Sequence, residues 1–511
     1  MAKRALVSVS DKTGLVEFVS GLQHAGWEII ATGGTKTMLE QAGIPTVEIS
    51  QVTGFPEICD GRVKTLHPKV HGELLALSDN PNHLQALQEN GIGFIDLVCV
   101  NLYPFRQTIA KEGVTLGEAI EKIDIGGPSM LRSAAKNYQS VTVVCDPADY
   151  AQVLSEIETH GDTSPQTRLE LSAKAYTHTA QYDCCIATYM RKQAGLPEKL
   201  FLEFDLKQSL RYGENPHQSA NFYAAPQAES FSLASAEQLQ GKELSYNNIQ
   251  DANAALSIVR DFSAPFCVAL KHMNPCGAAQ AETIEQAWQK AFEADPVSIY
   301  GGIVAVNRCL TEEIALAMKP IFLEIVLAPD YTPEALEVLS AKKNLRVLKV
   351  DMTPSDAPVN QYVGVTGGLL VQHLDTQTEQ LSAEQTVTDE KPSPEQLADL
   401  QFAWNIVKHV KSNAIVVAQD LQTRGVGAGQ MNRVGSAQIA LQQAVAGGNT
   451  ERLVLASDGF LPFDDTVELA AQYGIKAIVQ PGGSIRDNDC IAKANEKHIP
   501  MLLTGVRHFK H

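Results

Sequence analysis

The sequence predicts an α/β protein whose first 150 or so residues form a doubly wound parallel sheet. Two observations lead there. Short apolar runs alternate with helix-length segments, and most of the runs are followed by Gly-, Ser- or Thr-rich turns, where such sheets bind ligands. A third concerns the second half, where apolar strand-like runs again mix with amphipathic stretches and make it mixed α/β as well.

In chain order, strands are expected at 5–9, 27–31, 46–49, 97–101 and 141–145. The first runs into Ser10-Asp11-Lys12-Thr13-Gly14 and the second into Thr32-Gly33-Gly34-Thr35. Each turn can aim backbone N–H groups, a hydroxyl and a helix N-terminus at a phosphate, and each is equally compatible with an ordinary strand-to-helix turn. Neither fits the dinucleotide or Walker fingerprint. The basic segment 61–71 carries Arg62, Lys64 and Lys69 and no acid, which favours an anion pocket. His67 and His71 have the spacing of a helical metal pair, but Pro68 argues against the helix that would make it useful, so no metal is expected.

The fourth strand ends in Asn101-Leu102-Tyr103-Pro104-Phe105. After it, Asp124-Ile125-Gly126-Gly127-Pro128 opens a helix on which Ser129, Arg132 and Lys136 recur on one face, and that face is expected to line a pocket beside Asp124 and Tyr103. A solvated stripe is the competing reading. A further helix over 164–194 leads to Gly195-Leu196-Pro197, which punctuates a domain boundary, giving domains 1–195 and 196–511. The polar segment 376–394 reads as an exposed connection, so two subdomains are expected to join near 372–395.

In the second domain an apolar run ends in Lys271-His272-Met273-Asn274-Pro275-Cys276-Gly277. Histidine is a side chain that exchanges protons near neutrality, and an adjacent lysine supplies a fixed positive charge for a developing oxyanion, a pairing suited to acyl or formyl transfer. Alone, such a pair beside an Asn-Pro turn is more often a solvated loop. Arg211-Tyr212-Gly213-Glu214-Asn215-Pro216 suits a phosphorylated heteroaromatic substrate, and Gly425-Val426-Gly427-Ala428-Gly429 offers either close backbone approach or a tight hairpin.

Bulk composition narrows the classes. The 511 residues exceed one ordinary core, and 44% hydrophobic with 20% charged residues is a soluble globular composition. A net charge of -18 argues against nucleic acid or a membrane surface as a general partner. With no apolar span and no signal-like start, a cytoplasmic location is expected. Nine cysteines without a Cys-x-x-Cys spacing read as reduced thiols.

Taken together, RVKTLHPKVHG, NLYPF, DIGGPSMLRSAAKN, RYGENPHQ, ELSYNN, KHMNPCG, KSNAI, GVGAGQMNR, SDGFLPF and GVRHF resemble the bifunctional family of AICAR (phosphoribosylaminoimidazolecarboxamide) formyltransferase and IMP cyclohydrolase over essentially the full length. The resemblance implies a methylglyoxal-synthase-like cyclohydrolase domain followed by a formyltransferase made of two cytidine-deaminase-like subdomains without zinc. It implies 10-formyltetrahydrofolate as co-substrate, AICAR, formyl-AICAR and IMP as ligands, no catalytic metal, and a homodimer with formyltransferase sites at its interface. A true deaminase would need a second cysteine after Pro275-Cys276, where this chain has Ala279.

The family match further implies His272 as proton shuttle, Lys271 as oxyanion stabiliser and Asn413 as the group that orients the formyl group or hydrogen-bonds His272. Arg211, Tyr212, Gly301, Arg433 and Arg507 match positions that hold AICAR or its phosphate, and Phe460, Asp465 and Ser484 match substrate-contacting positions. Glu324 stands where the family pattern has Asp, which moves its carboxylate by about 1 Å. For cyclisation the match implies Lys136 as proton donor or acceptor, with Lys64, Tyr103 and Asp124 around the reacting groups. Ser10, Lys12, Thr13 and Gly14, then Gly33, Gly34 and Thr35, match nucleotide-binding loops. Arg62, Thr65, Asn101, Ile125 and Gly126 complete that set.

Overall fold

Strands β1 (Arg4–Ser8), β2 (Glu28–Ala31), β3 (Val47–Glu48), β4 (Leu97–Val100) and β5 (Thr142–Val144) form a sheet of order β3-β2-β1-β4-β5 in which every pairing is parallel. Leu6, Val7, Ile30 and Val98 are wholly buried, as expected for strands covered on both faces. This computed structural model describes residues 2–226, 228–353 and 358–511. The chain divides into two compact units, Met1–Glu203 and Phe204–His511.

In the first unit two elements differ from expectation. The strand at 46–49 stops after two residues, because Glu48 and Gln51 form a capping box that starts a helix at Ile49. Pro68 does not prevent a helix; it occupies the first turn of Pro68–Leu75, where its missing N–H costs nothing. His67 caps that helix by accepting from Lys69 N (3.2 Å), while His71 Nδ1 lies 2.9 Å from Ser133 Oγ. The two rings are thus engaged separately. The long helix Pro165–Gln193 starts as the sequence implies, Ser164 Oγ accepting from Thr167 N (3.1 Å) with Pro165 following.

The second unit contains an internal repeat that the sequence does not display. A helix (Tyr246–Val259) precedes the hairpin β9 (Phe266–Lys271) and β10 (Asn274–Gln280); then come three strands separated by helices, β11 (Gly302–Val306), β12 (Leu323–Ala328) and β13 (Arg346–Lys349). The same order returns with helix Pro394–Val407, hairpin β16 (Ile415–Gln419) and β17 (Gln422–Gly427), and strands β18 (Val454–Ser457), β19 (Ala477–Gln480) and β20 (Met501–Leu503). In each repeat the third strand pairs antiparallel with the first hairpin strand and the last two add in parallel.

The two repeats are not separate sheets. Strand β10 pairs antiparallel with β17 at Ala279 and Gln422, so a single eleven-stranded sheet, with β8 (Glu237–Gln240) at one edge, runs through both. The segment 376–394 is mostly exposed but is pinned to the second repeat, with Val387 N donating to Met501 O (2.9 Å). Two hairpins stand apart from this sheet: β6 (Asp205–Leu210) with β7 (Ala220–Ala224), and β14 (Asn360–Val365) with β15 (Gly368–His373).

Gly425 and Gly427 serve close approach. A Cβ on either would lie 1.9 Å from Ala440 O or 2.0 Å from Ser436 O of helix Arg433–Ala446, which lies against β17. Replacing Gly425 by Ala must push that helix outward, and overpacking of this kind costs about 1–3 kcal/mol. In thermal denaturation of the full chain, G425A is expected to lower the transition of the second unit and leave that of the first unchanged.

Candidate functional site

A cavity of about 640 Å³ opens beyond the carboxyl ends of β1, β2 and β4. Its floor is the turn after β1. Asn101, at the end of β4, accepts from the backbone N–H groups of Ser10 (2.6 Å) and Asp11 (2.9 Å) and donates through Nδ2 to Asp11 O (2.9 Å). One buried amide thereby fixes the loop and leaves Ser10 and Lys12 facing the cavity. Gly14 takes a left-handed conformation (φ 63°) at the start of helix Leu15–His24. Thr13 bonds back to Asp11 Oδ1 (2.7 Å), so Thr13 and Gly14 shape the loop without lining the cavity.

Helix Gly33–Gln41 points its N-terminus at the same space, with Gly33, Gly34 and Thr35 in the wall. Lys12 Nζ donates to Gly34 O (3.1 Å), and buried Thr35 ties this helix to β1 by accepting from Val9 N (3.1 Å). The opposite wall holds the N-terminus of helix Gly126–Lys136. Two helix N-termini, Lys12, Lys64 and Arg62 converge here, an arrangement suited to a phosphorylated ligand. Arg62 is exposed and paired with Glu121, so its charge is partly balanced.

Tyr103, Asp124 and Lys64 meet in this cavity. Asp124 accepts from Gly127 N (2.8 Å), while its own N–H donates to the Tyr182 hydroxyl (2.8 Å). Burial raises the Asp124 carboxyl above the usual carboxylate range, against the pull of the Gly127 N–H and the Lys64 charge. Burial and the neighbouring Asp124 and Glu57 raise Tyr103. The glycine pair makes room for these groups: a Cβ on Gly126 would meet Thr65 Oγ1 at 2.6 Å, and one on Gly127 would meet Asp124 Oδ2 at 2.5 Å, so either side chain would have to shift.

The polar stripe expected along this helix does not line the cavity. Only its first turn and Met130 do, because the helix axis runs away from the strand ends. Lys136 is exposed in the last turn, about 15 Å along the axis from Gly126 at 1.5 Å per residue. Arg132 lies over the Tyr176 ring (5.4 Å), and Ser129 Oγ donates to Ile125 O (2.8 Å). Lys136 is therefore not brought to Lys64, Tyr103 and Asp124 within one chain.

In the second unit, Lys271 ends β9, and His272 with Met273 forms the hairpin turn, both at positive φ (52° and 64°). The turn is held by a residue the sequence did not single out: Asp251, on helix Tyr246–Val259, accepts from Met273 N (2.7 Å). On that helix, Asn247 donates to Glu214 O (3.4 Å) and so fastens the loop that follows Arg211 and Tyr212. Lys271 Nζ donates to Tyr300 O (2.8 Å), and a Cβ on Gly301 would lie 3.1 Å from that ammonium. Glu324, on β12, pairs with Arg346 (2.8 Å).

The hairpin tip reaches the other repeat. Asn274 Oδ1 accepts from Lys411 N (3.0 Å), which docks it against Lys411-Ser412-Asn413. Asn413 is held from two sides: its Nδ2 donates to Gln430 O (2.9 Å) and its Oδ1 accepts from Arg433 Nη2 (2.8 Å). Arg433 is buried, with Nη1 committed to Asp458 and to Ser457 Oγ (2.9 Å), so its charge is balanced and its Nη2 is engaged by Asn413. Phe460, Asp465, Ser484 and Arg507 lie on segments that follow β18, β19 and β20, on the same repeat as Asn413. Phe509, the last residue of the GVRHF motif, and His511, which the sequence did not single out, share a cleft with Asn413.

Comparison with known proteins accounts for both units. A family model described as the AICARFT/IMPCHase bienzyme matches residues 134–443, and one described as an MGS-like domain matches residues 14–129. The chain is 58% identical to the bifunctional purine biosynthesis protein PurH of Enterococcus faecalis over 513 residues, covering 100% of both chains. It is 57% identical to that of Anoxybacillus flavithermus and 56% to that of Streptococcus thermophilus, each again covering 100% of both.

Asn101 is the keystone of the first cavity. N101A removes three hydrogen bonds from the Ser10–Asp11 turn and is expected to weaken binding of a purine nucleoside monophosphate about tenfold in calorimetry, about 1.4 kcal/mol.

Proposed function

The chain belongs to the AICARFT/IMPCHase bienzyme family, and on that premise we propose how its two units divide the work. The activities themselves follow from the family: formyl transfer to AICAR and ring closure to IMP, the last two steps of purine biosynthesis. Cyclisation is assigned to the first unit and formyl transfer to the second. The observation that carries this division is the cavity between two helix N-termini, where Lys64, Tyr103 and Asp124 converge. It supplies anion binding and proton-transfer groups in one place.

In formyl transfer, the 5-amino nitrogen of AICAR attacks the formyl carbon of 10-formyltetrahydrofolate. His272 takes the proton the amine loses, Lys271 stabilises the tetrahedral oxyanion, and N10 of tetrahydrofolate leaves with a proton. Asn413 orients the formyl group, with Arg433 behind it. In cyclisation, the carboxamide nitrogen attacks the formyl carbon of the same molecule. The departing water takes its oxygen from the formyl group and one hydrogen each from the carboxamide and formamido nitrogens. Asp124 receives the carboxamide proton, and Lys64 and Tyr103 serve the leaving oxygen. The step is intramolecular, so positioning alone supplies much of the rate.

A homodimer fits the second unit. All residues of the β14–β15 hairpin are exposed, Tyr362, Val363, Val365, Leu369, Leu370 and Val371 among them, and an isolated two-stranded ribbon is marginal in water. A second copy of this chain is the partner that would cover it and complete the open cleft at Asn413. A cytoplasmic location fits an enzyme of purine biosynthesis; among the described residues no helix is long and apolar enough to cross a membrane.

The test separates the units. H272A is expected to abolish tetrahydrofolate release while cyclisation of supplied formyl-AICAR stays within about twofold. D124N should lower cyclisation at least about 100-fold and let formyl-AICAR accumulate. Because the Asp124 carboxyl is raised, cyclisation by the native enzyme should fall as pH drops through a value above the usual carboxylate range, and D124N should lack that decline. Loss of both activities in folded H272A would contradict the division.

A further inference from the structure

A buried polar network in the second unit lies outside the groups assigned above. His508 is 2% exposed, and its ring sits between two carboxylates: Nδ1 is 2.6 Å from Asp375 Oδ2 and Nε2 is 2.8 Å from Glu379 Oε2. An ionised carboxylate only accepts, so satisfying both contacts needs a proton on each ring nitrogen, which makes the ring an imidazolium. Burial pushes His508 down, but the hydrogen bonds and charges of Asp375 and Glu379 outweigh it and hold the ring above the ordinary histidine range. Trp404 packs edge-on against the ring, and its Nε1 donates to the same Glu379 oxygen (3.0 Å). Lys408 faces the cluster too: it helps hold Asp375 in its ionised form and pairs with Asp261 (2.7 Å), which also meets His409 Nε2 (2.6 Å). On the segment itself the Lys510 ammonium, pushed down to about 8 by burial and by Lys411, donates to His409 O (3.1 Å).

The backbone on both sides of His508 runs to the formyltransferase cleft. His508 N donates to Asp458 O (3.0 Å), and Lys510 exchanges two hydrogen bonds with Ser412, whose N–H donates to Lys510 O (2.8 Å) while its Oγ accepts from Lys510 N (3.1 Å). Ser412 Oγ itself donates to Asp458 Oδ2 (2.5 Å), the residue that also pairs with Arg433. Ser412 directly precedes Asn413, and Phe509 and His511 line the cleft beside it. Segment 507–511 thus braces Ser412, next to Asn413, and is itself tied down by the His508 ring, by the His508 N–H on Asp458 O and by Lys510 Nζ on His409 O (3.1 Å).

We propose that His508, clamped as a cation between Asp375 and Glu379, is a positioning residue for formyl transfer that latches segment 507–511 onto Ser412 and so holds Asn413 at the reacting formyl group. The proposal rests on the assignment of formyl transfer to the second unit. It carries a pH dependence of definite sign. The clamp is complete below the ordinary histidine pKa and is lost as pH rises through the raised value of His508, so formyl transfer should decline on the alkaline side. Removing one carboxylate brings that decline to lower pH.

The experiment measures kcat and KM for formyl transfer from 10-formyltetrahydrofolate to AICAR between pH 6 and 9 in the full-length native protein, D375N and H508Q. The D375N side chain stays partly exposed, so this variant keeps the fold even if H508Q does not. In D375N the alkaline decline is expected to move down by about one pH unit, with kcat at pH 8 reduced about fivefold and KM for AICAR within twofold. Folded H508Q should lose at least about tenfold in kcat, any alkaline decline left in it being that of Lys510 rather than of the clamp. Cyclisation of supplied formyl-AICAR should stay within twofold in both variants. An active native enzyme whose D375N profile superimposes on it, with kcat within twofold, overturns the latch. A native enzyme that transfers no formyl group overturns the underlying assignment instead.

Discussion

The antiparallel seam between β10 and β17 is the constraint on which the second unit depends. Ala278 N donates to Thr423 Oγ1 across it (2.9 Å), and Gln280 N donates to Leu421 O (3.0 Å). With the seam closed, each repeat's hairpin tip lands on the other repeat. Asn274 receives Lys411 N–H at one end, and Lys290 Nζ donates to Asp420 O (3.0 Å) at the other. Both tips place two non-glycine residues at positive φ, His272 and Met273 in one and Asp420 and Leu421 in the other. Such turns match the strand twist and hold a hairpin rigidly, at a cost that glycine would avoid. At the first tip, Asp251 helps to offset it. The pseudo-symmetric frame therefore carries Lys271 and His272 on one repeat and Asn413 on the other.

The first unit solves a similar problem with parallel strands. Asn101 fixes the turn after β1 from the end of β4, the neighbouring strand, so the loop is braced by the sheet rather than by its own length. Two helix N-termini then face one space, and the glycines at 126 and 127 let Asp124 and Thr65 approach the backbone more closely than any side chain would allow. The raised Asp124 carboxyl is a consequence of that burial.

Much of this was legible in the sequence. The parallel sheet was readable because its strands are continuous apolar runs, and Ser10, Lys12, Gly33, Gly34 and Thr35 were readable because such sheets bind ligands beyond their strand ends. The Lys-His pair stood out because it ends a buried strand. Helical periodicity placed Ser129, Arg132 and Lys136 on one face correctly, but periodicity says nothing of where the helix axis points, and Lys136 ends far from the cavity. The residues themselves do not show the repeat, which keeps the order of elements rather than the sequence; it was expected only through the resemblance, which implied two like subdomains. His508 lies in the quoted GVRHF motif, but its clamped state was not readable because its partners lie about 130 positions away, in a segment whose composition reads only as polar.

The claim that the seam joins the two halves of one formyltransferase site is tested most directly by a double-mutant cycle between His272 and Asn413, read as kcat for formyl transfer in the full-length enzyme. If both groups act on the same formyl carbon, H272A with N413A together should be within about threefold of H272A alone, because groups acting as a unit are strongly non-additive. Losses that multiply would mean that the two residues act independently and would contradict the account.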